Sequence, residues 1–397
     1  MSPPANADRA DHWFAECYGG QAEGVWHAPG RVNLIGEHTD YNEGFVLPFA
    51  LAQGVVAAAS RRDDGLLVLA SRQARGAPAT VALTTLAPGT VSGWAAYPAG
   101  VAWALQQAGY RLGGASVAID ADLDQGAGLS SSAALECATA LALADLNGLS
   151  VPLPDLAALA RRAENDFAGV PTGIMDQSAS LLCQAGHALL LDCRSGQATA
   201  IPLDLRADGL IVLVIDTRVR RVLSDGRYSE RRRECELAAR ALCVTSLRDV
   251  APGDLSHGPA ADQLDPVLAR RVRHVVTENS RVLQTVDLLR ARDTRGCGPL
   301  LTASHVSLRD DFEISWPQAD AAVAAAIDAG ALGARMTGGG FGGSVIALTE
   351  AAGADGVRAG VRAAFGRQGW QAPLFTDALP APGARRLRLA GAAAPDR

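Results

Sequence analysis

Residues 126–134 read Gly-Ala-Gly-Leu-Ser-Ser-Ser-Ala-Ala and lead into the segment with the highest helix propensity in the chain, the Ala- and Leu-rich residues 130–146. Glycines before a helix N-terminus leave backbone N–H groups free to bind phosphate, and the helix macrodipole adds to the attraction. The serine hydroxyls can cap the helix or reach a metal ion. A Gly/Ser-rich N-cap without a ligand is also common, so the segment alone leaves a phosphate site and a purely structural cap both open.

Lysine is absent from the sequence, and all 36 basic residues are arginine. A genome biased against lysine codons explains the absence without reference to function. The absence nevertheless excludes Schiff-base chemistry, the lysine of the Walker A loop and the strand lysine of protein kinases. A chain of this composition that handles ATP must do so with other groups.

The length of 397 residues predicts two domains of roughly 200 residues each. The hydrophobic share of 48% and the charged share of 20% are typical of a soluble globular protein. The net charge of -6 argues against nucleic acid as a partner, because the basic cluster Arg231–Arg233 is flanked by glutamates and predicts a solvated helix face.

The sequence shows no sign of export or membrane insertion. It has no run of 18 apolar residues, and its polar first residues lack the apolar core of a secretory signal. The seven cysteines are scattered without a C-x-x-C pair, which predicts reduced thiols in a cytoplasmic protein and no zinc site.

Strands and helices alternate irregularly along the chain. Short apolar runs predict strands at 55–59, 66–70, 115–119, 187–192, 210–215 and 344–348. Longer segments predict helices at 97–108, 130–146, 156–167, 173–182, 229–242, 266–289 and 317–329. The polar stretch 202–209 marks a domain boundary, and the mixed order predicts an α+β fold rather than a doubly wound sheet.

A second motif, Ala28–Asn42, collects one cation, two acids, a histidine and two amides around glycines. Polyhydroxylated ligands need planar hydrogen-bonding groups on a rigid backbone, which Glu37, His38 and Asp40 would supply. Gly36 would let the chain approach the ligand closely. The alternative interpretation is a polar surface turn.

Two further motifs carry open alternatives. Five of the six residues 338–343 are glycine, which predicts backbone pressed against a ligand or another backbone, with Phe341 as anchor, or else a flexible hinge. Asp176 follows a Pro/Gly loop in the first turn of a predicted helix, where it would serve as a cap or as a catalytic carboxylate.

Together these stretches resemble galactokinases of the GHMP kinase superfamily. The segments 126–134 and 338–343 resemble superfamily motifs, whereas residues 30–42 resemble the narrower galactokinase signature. Further similar segments lie at 94–97, 173–177, 231–236 and 307–311. The resemblance implies the two-domain GHMP kinase fold with the active site between the domains. Residues 1–205 would then form the sugar- and ATP-binding domain and residues 206–397 the C-terminal GHMP kinase domain.

The implied activity is transfer of the γ-phosphoryl group of ATP to the anomeric hydroxyl of galactose, with Mg²⁺ and without a Walker lysine. The implied sugar-binding residues are Glu37, His38, Thr39, Asp40, Gly173 and Tyr228. The implied phosphate-binding residues are Gly126, Ala127, Gly128, Leu129, Ser130, Ser131 and Ser132. Ser132 and Glu164 would bind Mg²⁺, while Asp176 would be the catalytic carboxylate with Arg31 as its partner. We expect a monomer.

The sequence departs from the family pattern at two places. Galactokinases usually have proline just before the phosphate loop, where this chain has Asp124-Gln125, and Pro171-Thr172 also stand where other residues are common. Two alternatives remain: an N-acetylgalactosamine kinase, and a non-catalytic sensor of galactose and ATP. The intact serines 130–132 favour an enzyme over the sensor.

Overall fold

The computed structural model describes residues 6–74, 76–123, 128–220, 226–257 and 264–387. Its largest sheet comprises β1 (Gly24–Asn33), β3 (Pro48–Arg62), β4 (Leu66–Ser71), β5 (Ala79–Ala82), β6 (Gly114–Ala121) and β13 (Arg385–Leu387). The order across this sheet is β13-β1-β3-β6-β4-β5, and the neighbouring strands are antiparallel except for β4 and β6.

Both faces of this sheet are covered, which explains why its strands are almost continuously apolar. Along β3, Val55 and Ala57 belong to a large cluster of buried apolar side chains, called the main core here. Val56 and Ala58 point to the other face and pack against the N-terminal helix α1 (Ala7–Tyr18). The alternation follows from the two-residue period of a strand.

The remaining elements of the first half surround the main core. They are the helices α2 (Ala96–Gln107), α3 (Ser131–Leu146), α4 (Leu153–Arg162) and α5 (Met175–Leu182), and a three-stranded sheet of β2 (Phe45–Val46), β7 (His187–Asp192) and β8 (Ala198–Pro202). A π-helical turn, Ala163–Phe167, continues α4. Short 3₁₀ turns occupy Asp40–Asn42, Leu83–Thr85 and Gly93–Ala95.

The second half is built on a four-stranded antiparallel sheet. Its strands are β9 (Leu210–Asp216), β10 (Gly333–Thr337), β11 (Ser344–Glu350) and β12 (Leu374–Ala378), in the order β10-β11-β9-β12. Its helices are α6 (Arg227–Ala241), α7 (Asp254–His257), α8 (Pro266–Arg290), α9 (Cys297–Asp310), α10 (Pro317–Asp328) and α11 (Ala354–Arg367), with 3₁₀ turns at Leu247–Asp249 and Ala351–Gly353. Val212 and Val214 on β9 face the main core, while Leu213 and Ile215 face a second core formed with α10 and α11.

The α+β expectation is confirmed, and each predicted strand lies within an observed one. Three helix starts were wrong by two residues or more: the helices expected from residues 156, 173 and 229 begin at Leu153, Met175 and Arg227. Residues 163–167, expected as the end of the first of these α-helices, form a π-turn. The arginine cluster is only partly a solvated face, because Arg231 is largely buried and donates to the carbonyl of Phe312.

The two halves are tied together. β13 returns to pair with β1, and Val282, Val286 and Leu289 of α8 are buried in the main core. We propose residues 1–205 and 206–397 as the two domains, with β13 crossing back to the first. No helix among the described residues is long and apolar enough to cross a membrane.

Candidate active site

A cavity of about 580 Å³ lies where the two halves meet. Most of the residues expected at the site line it, together with two glycines from the glycine-rich segment. Its walls include Arg31, Glu37, His38, Asp40, Gly128, Leu129, Ser130, Ser131, Ser132, Glu164, Gly173, Asp176, Tyr228, Gly338 and Gly339. Of the other expected residues, Thr39 lies behind the wall, and Gly126 and Ala127 fall outside the described residues, as does the departure at Asp124-Gln125.

The cavity wall contains an ion pair between Arg31 on β1 and Asp176 on α5. Arg31 Nε and Nη2 each lie 2.9 Å from Asp176 Oδ1. Asp176 is the second residue of its helix, whose N-cap is Ile174, and its carboxylate engages Arg31 rather than capping the helix. The side chain of Asp176 keeps 25% of its surface exposed toward the cavity, whereas Arg31 keeps 5%. The carboxylate is therefore held in place and remains accessible to a ligand.

Arg31 also fixes residues 128–132, called the phosphate loop here because the family resemblance implies that they bind phosphate. Its Nη1 donates to the Gly128 carbonyl at 2.7 Å, and its backbone N–H donates to the Leu129 carbonyl at 3.2 Å. Gly128 and Ser130 both have positive φ, and Ser130, the N-cap of α3, makes no capping hydrogen bond with its side chain. The N–H groups of the first turn of a helix have no partner within the helix, so this N-terminus opens toward the cavity with donors for an anion.

Glu164 stands in the π-turn next to the N-terminus of α3. Burial raises the pKa of Glu164 to about 7, and the charge of Asp176 adds to that effect, whereas a hydrogen bond from the Ser132 hydroxyl opposes it. Gln177 Nε2 and Thr172 Oγ1 donate to Glu164 Oε2 at 2.7 and 3.2 Å. A buried carboxylate beside a hydroxyl suits a hard cation, which takes only one or two protein ligands when it also binds phosphate oxygens. Among the described residues no group of three or more histidines, cysteines and acids is arranged to hold a metal alone.

Two residues beside Glu164, namely Glu136 and Gln177, were missed in the sequence. Glu136 on α3 is fully buried, and Gln177 Nε2 donates to its Oε2 at 3.1 Å while also bonding Glu164. Burial and the charge of Glu164 raise the pKa of Glu136 well above its usual range. The sequence did offer one signal for Glu136, because it is the single acidic residue in the otherwise apolar first turns of α3.

Glu37 is held by the glycine-rich segment. Its Oε1 accepts hydrogen bonds from Thr337 Oγ1 at 3.0 Å and from the Gly338 N–H at 2.5 Å. Its Oε2 is buried and has no hydrogen-bond partner among the described residues. Burial raises the pKa of Glu37, and the charges of Arg335 and Arg31 oppose this. One carboxylate oxygen is thus fixed while the other is available to a ligand.

The glycine-rich segment presses backbone against backbone, as one of its two interpretations predicted. A Cβ on Gly338 would lie 3.2 Å from the Gly128 carbonyl oxygen, and one on Gly340 would lie 2.8 Å from the Ile314 carbonyl oxygen. Phe341 packs against the second core, with Arg227 above its ring. The segment connects Glu37 to the phosphate loop.

Asp40 and Gly173 are in direct contact. A Cβ placed on Gly173 would lie 1.6 Å from Asp40 Oδ2, so no side chain fits beside this carboxylate. The Tyr41 N–H donates to Asp40 Oδ1 at 2.9 Å. Burial, together with the charge of Asp176, raises the pKa of Asp40 to about 6.

His38, Thr39 and Tyr228 shape residues 36–45, which are called the sugar turn here because the family resemblance implies that they bind the sugar. His38 has φ of 62°, its Nδ1 lies 2.7 Å from the Tyr41 hydroxyl, and its ring centroid is 5.2 Å from that of Tyr228. Thr39 is fully buried, and its hydroxyl lies within hydrogen-bond distance of the carbonyls of Gly36 and Phe45. Thr39 therefore closes the turn from behind.

Three family models match the chain along its length. A galactokinase galactose-binding signature matches residues 12–61, the GHMP kinase N-terminal domain matches residues 96–184, and the GHMP kinase C-terminal domain matches residues 285–367. A galactokinase of Streptomyces coelicolor is 54% identical over 376 residues, which are 94% of this chain and 97% of that protein. The chain belongs to the galactokinase family.

Other galactokinases agree with this assignment. A galactokinase of Mycobacterium tuberculosis is 45% identical, with 91% of this chain and 98% of that protein covered. The solved structure of Lactococcus lactis galactokinase complexed with galactose superposes with a TM-score of 0.91 at 32% identity, covering 96% and 99% of the two chains. Like other members of the galactokinase family, the chain is an ATP-dependent sugar kinase with the GHMP kinase fold.

Proposed function

We propose that the chain transfers the γ-phosphoryl group of ATP to the anomeric hydroxyl of galactose, giving galactose 1-phosphate and ADP, a step of galactose metabolism. The observation that carries the proposal is the Arg31–Asp176 pair, which lies between the sugar turn and the serine-rich N-terminus of α3. A sugar hydroxyl and a γ-phosphate bound on either side would meet at this pair.

Asp176 accepts the proton of the anomeric hydroxyl while the oxygen of that hydroxyl forms the new bond to the γ-phosphorus. The bond from that phosphorus to the bridging oxygen breaks, and ADP leaves with the electron pair. Arg31 keeps the Asp176 carboxylate oriented and places positive charge beside the transferring group. Positioning and charge stabilisation supply most of the catalysis in this class of reaction, because the transition state is loose.

Galactose binds between the sugar turn and Gly173 in this proposal. The unpartnered Glu37 Oε2 and the Asp40 carboxylate accept hydrogen bonds from sugar hydroxyls, and Tyr228 together with His38 closes the pocket. Thr39 acts through the turn that it closes.

ATP binds with its phosphates on residues 126–132 and its base toward Trp94 and Tyr97, which also line the cavity. The oxygens of Ser132 and Glu164 fit Mg²⁺. The ion, when bound, neutralises charge on the phosphates. Ser132 and Glu164 hold one side of that site, and Gln177 fixes the orientation of Glu164.

We propose further that the protein works in the cytoplasm as a monomer. The seven cysteines are free thiols, as expected in a reducing compartment.

Turnover of purified protein tests the proposed function. ATP and Mg²⁺ are supplied with galactose, N-acetylgalactosamine, glucose or arabinose in parallel, and the formation of ADP and sugar phosphate is measured. We expect galactose to give the highest kcat/KM and Asp176→Ala to lower kcat by ~10²–10⁴ while the variant still folds and binds ATP.

Two results would contradict the proposal. Preference for N-acetylgalactosamine would favour a kinase for that sugar, and binding of galactose and ATP without turnover would favour the sensor. Near-normal turnover by a folded Asp176→Ala variant would remove Asp176 from the chemistry.

A further inference from the structure

Helix α8 bonds to the main chain of the sugar turn through three buried side chains. These residues, His274, Glu278 and Asn279, are called the α8 bracket here. They are spaced by four residues and by one, which places them on adjoining faces of the helix turned toward the sugar turn. The cavity walls within the described part of the chain include none of the three.

Glu278 is the centre of the bracket. Its Oε1 accepts from the Gly36 N–H at 3.0 Å and from Ser304 Oγ at 2.7 Å, and its Oε2 accepts from Arg281 Nε at 2.7 Å. The side chain is fully buried. Burial favours the neutral acid, yet the charge of Arg281 and smaller contributions from the other neighbours of Glu278 together outweigh burial and bring the pKa of Glu278 down to about 2. Glu278 therefore presents a fixed, ionised acceptor to the turn.

The other two members hold the turn at further points. His274 Nε2 lies 3.0 Å from the Glu37 carbonyl oxygen, which can only accept, so this nitrogen carries the proton. Burial lowers the pKa of His274 to about 4, and the ring is neutral. Asn279 Oδ1 accepts from the Phe45 N–H at 2.9 Å. The bracket thus bonds both ends of the turn that carries Glu37, His38 and Asp40.

The turn needs this support because its backbone is strained. Gly36, His38 and Glu43 all have positive φ, at 101°, 62° and 57°. Non-glycine residues keep such conformations only where their surroundings impose them. The turn contains one short 3₁₀ segment, Asp40–Asn42, which cannot fix the direction of the Glu37 side chain.

We propose that the α8 bracket sets the geometry of the sugar turn, and that Glu278 is a positioning residue for galactose although it does not touch the sugar. The inference rests on the proposed function, because it assigns galactose to that turn. It predicts that changes in the bracket alter galactose KM and leave ATP KM nearly unchanged. The reason is that the bracket makes no hydrogen bond to the described residues of the proposed phosphate site on α3.

The experiment compares purified Glu278→Ala, Glu278→Gln and Asn279→Ala with the wild type, measuring kcat and KM for both substrates and galactose affinity by calorimetry. Loss of the acceptor for Gly36 should raise galactose KM roughly tenfold or more in Glu278→Ala. ATP KM should stay within about twofold, since no bracket hydrogen bond reaches the described residues of the phosphate loop. Glu278→Gln keeps one oxygen for Gly36 and should show a smaller rise, and Asn279→Ala should raise galactose KM in the same direction.

Thr285→Val is the matched control. Thr285 lies on the same helix, is fully buried and donates to the Arg281 carbonyl at 2.8 Å, but it makes no bond to the sugar turn. This variant loses a buried hydrogen bond and should keep the wild-type galactose KM.

Unchanged galactose KM in folded Glu278→Ala, or an equal rise in both KM values, would overturn the inference. Should Glu278→Ala fail to fold, unchanged galactose KM in both Glu278→Gln and Asn279→Ala would overturn it as well. If the wild type itself does not phosphorylate galactose, the proposed function fails first, and calorimetric galactose affinity still decides whether the bracket positions a sugar site.

Discussion

Gly173 and Asp40 share a space that only a glycine leaves open. Gly173→Ala would place a methyl group 1.6 Å from Asp40 Oδ2, which forces the carboxylate or the loop to move. We expect galactose KM to rise roughly tenfold or more because a sugar hydroxyl loses its acceptor. Steady-state kinetics with each substrate varied in turn would check this.

The control for Gly173→Ala is Gly356→Ala in α11, where an added Cβ meets nothing within 4 Å. ATP KM should change little in either variant. A Gly173→Ala enzyme with wild-type galactose kinetics would mean that this contact is not part of the sugar site.

Asp40 should make the unliganded protein less stable as the pH rises. Its pKa is about 6 in the folded protein, above its ordinary value of 3.8. Between these values the unfolded chain ionises before the folded one, so the free energy of unfolding falls as pH increases, by about 1–3 kcal/mol. Asp40→Asn removes this loss and should gain thermal stability relative to wild type between pH 5 and pH 8.

The same Asp40→Asn variant should lose galactose kcat/KM by roughly ten- to a hundredfold, because an acceptor becomes a partial donor. Thermal midpoints at the two pH values and galactose kinetics on one preparation test both effects. A variant that is less stable at pH 8 and has normal sugar kinetics would make Asp40 a structural residue.

The sequence pointed to candidate site residues where several polar side chains stand close together in the chain. Glu37, His38 and Asp40 stood in one turn, and the cavity walls include all three. Glu136, Glu278 and Gln177 were not predictable as site partners, because their contacts with the site join positions that are 13 to 242 residues apart in the chain. Such contacts exist only after the elements have packed.

At the scale of elements, the π-turn and the N-terminus of α3 form one unit. The wider π-turn carries Glu164 to Ser132. Ser132→Ala and Glu164→Ala should each raise the Mg²⁺ concentration for half-maximal turnover by about tenfold or more. Titration of Mg²⁺ at fixed ATP and galactose measures this change, and galactose KM should move less. A larger change in galactose KM, with metal dependence unaltered, would place both residues in the sugar pocket.

Helices and strands were predictable where a regular apolar pattern runs through the segment itself. The strand at 187–192 matched at both ends, and the helix at 266–289 extends one residue further, beginning at Pro266 after an Asp265 N-cap. The π-turn was not predictable, because it ends the helix and no later turn follows in which an extra residue would shift the apolar pattern. β13 was missed because a three-residue strand is recognisable only by its partner.

At the scale of the whole molecule, the two halves should unfold together. The main core combines residues of β3 with residues of β9 and α8, and Glu37 bonds across to Gly338. We expect one calorimetric transition. Galactose at 100 times its Kd should stabilise the folded state by about 2.7 kcal/mol and move that whole transition upward. Two transitions, only one of them shifted by galactose, would show that the halves are independent.

The pairing of β13 with β1 also bears on how the protein is made. β1 lies between β3 and β13, so the edge formed by Val25, Trp26 and His27 has no strand beside it until residues 385–387 have been synthesised. A growing chain on the ribosome carries an open strand edge until β13 has been made, and such edges can pair with other chains. Slow translation of the later codons would prolong this exposure, and chaperone binding to the nascent chain should persist until the last strand emerges.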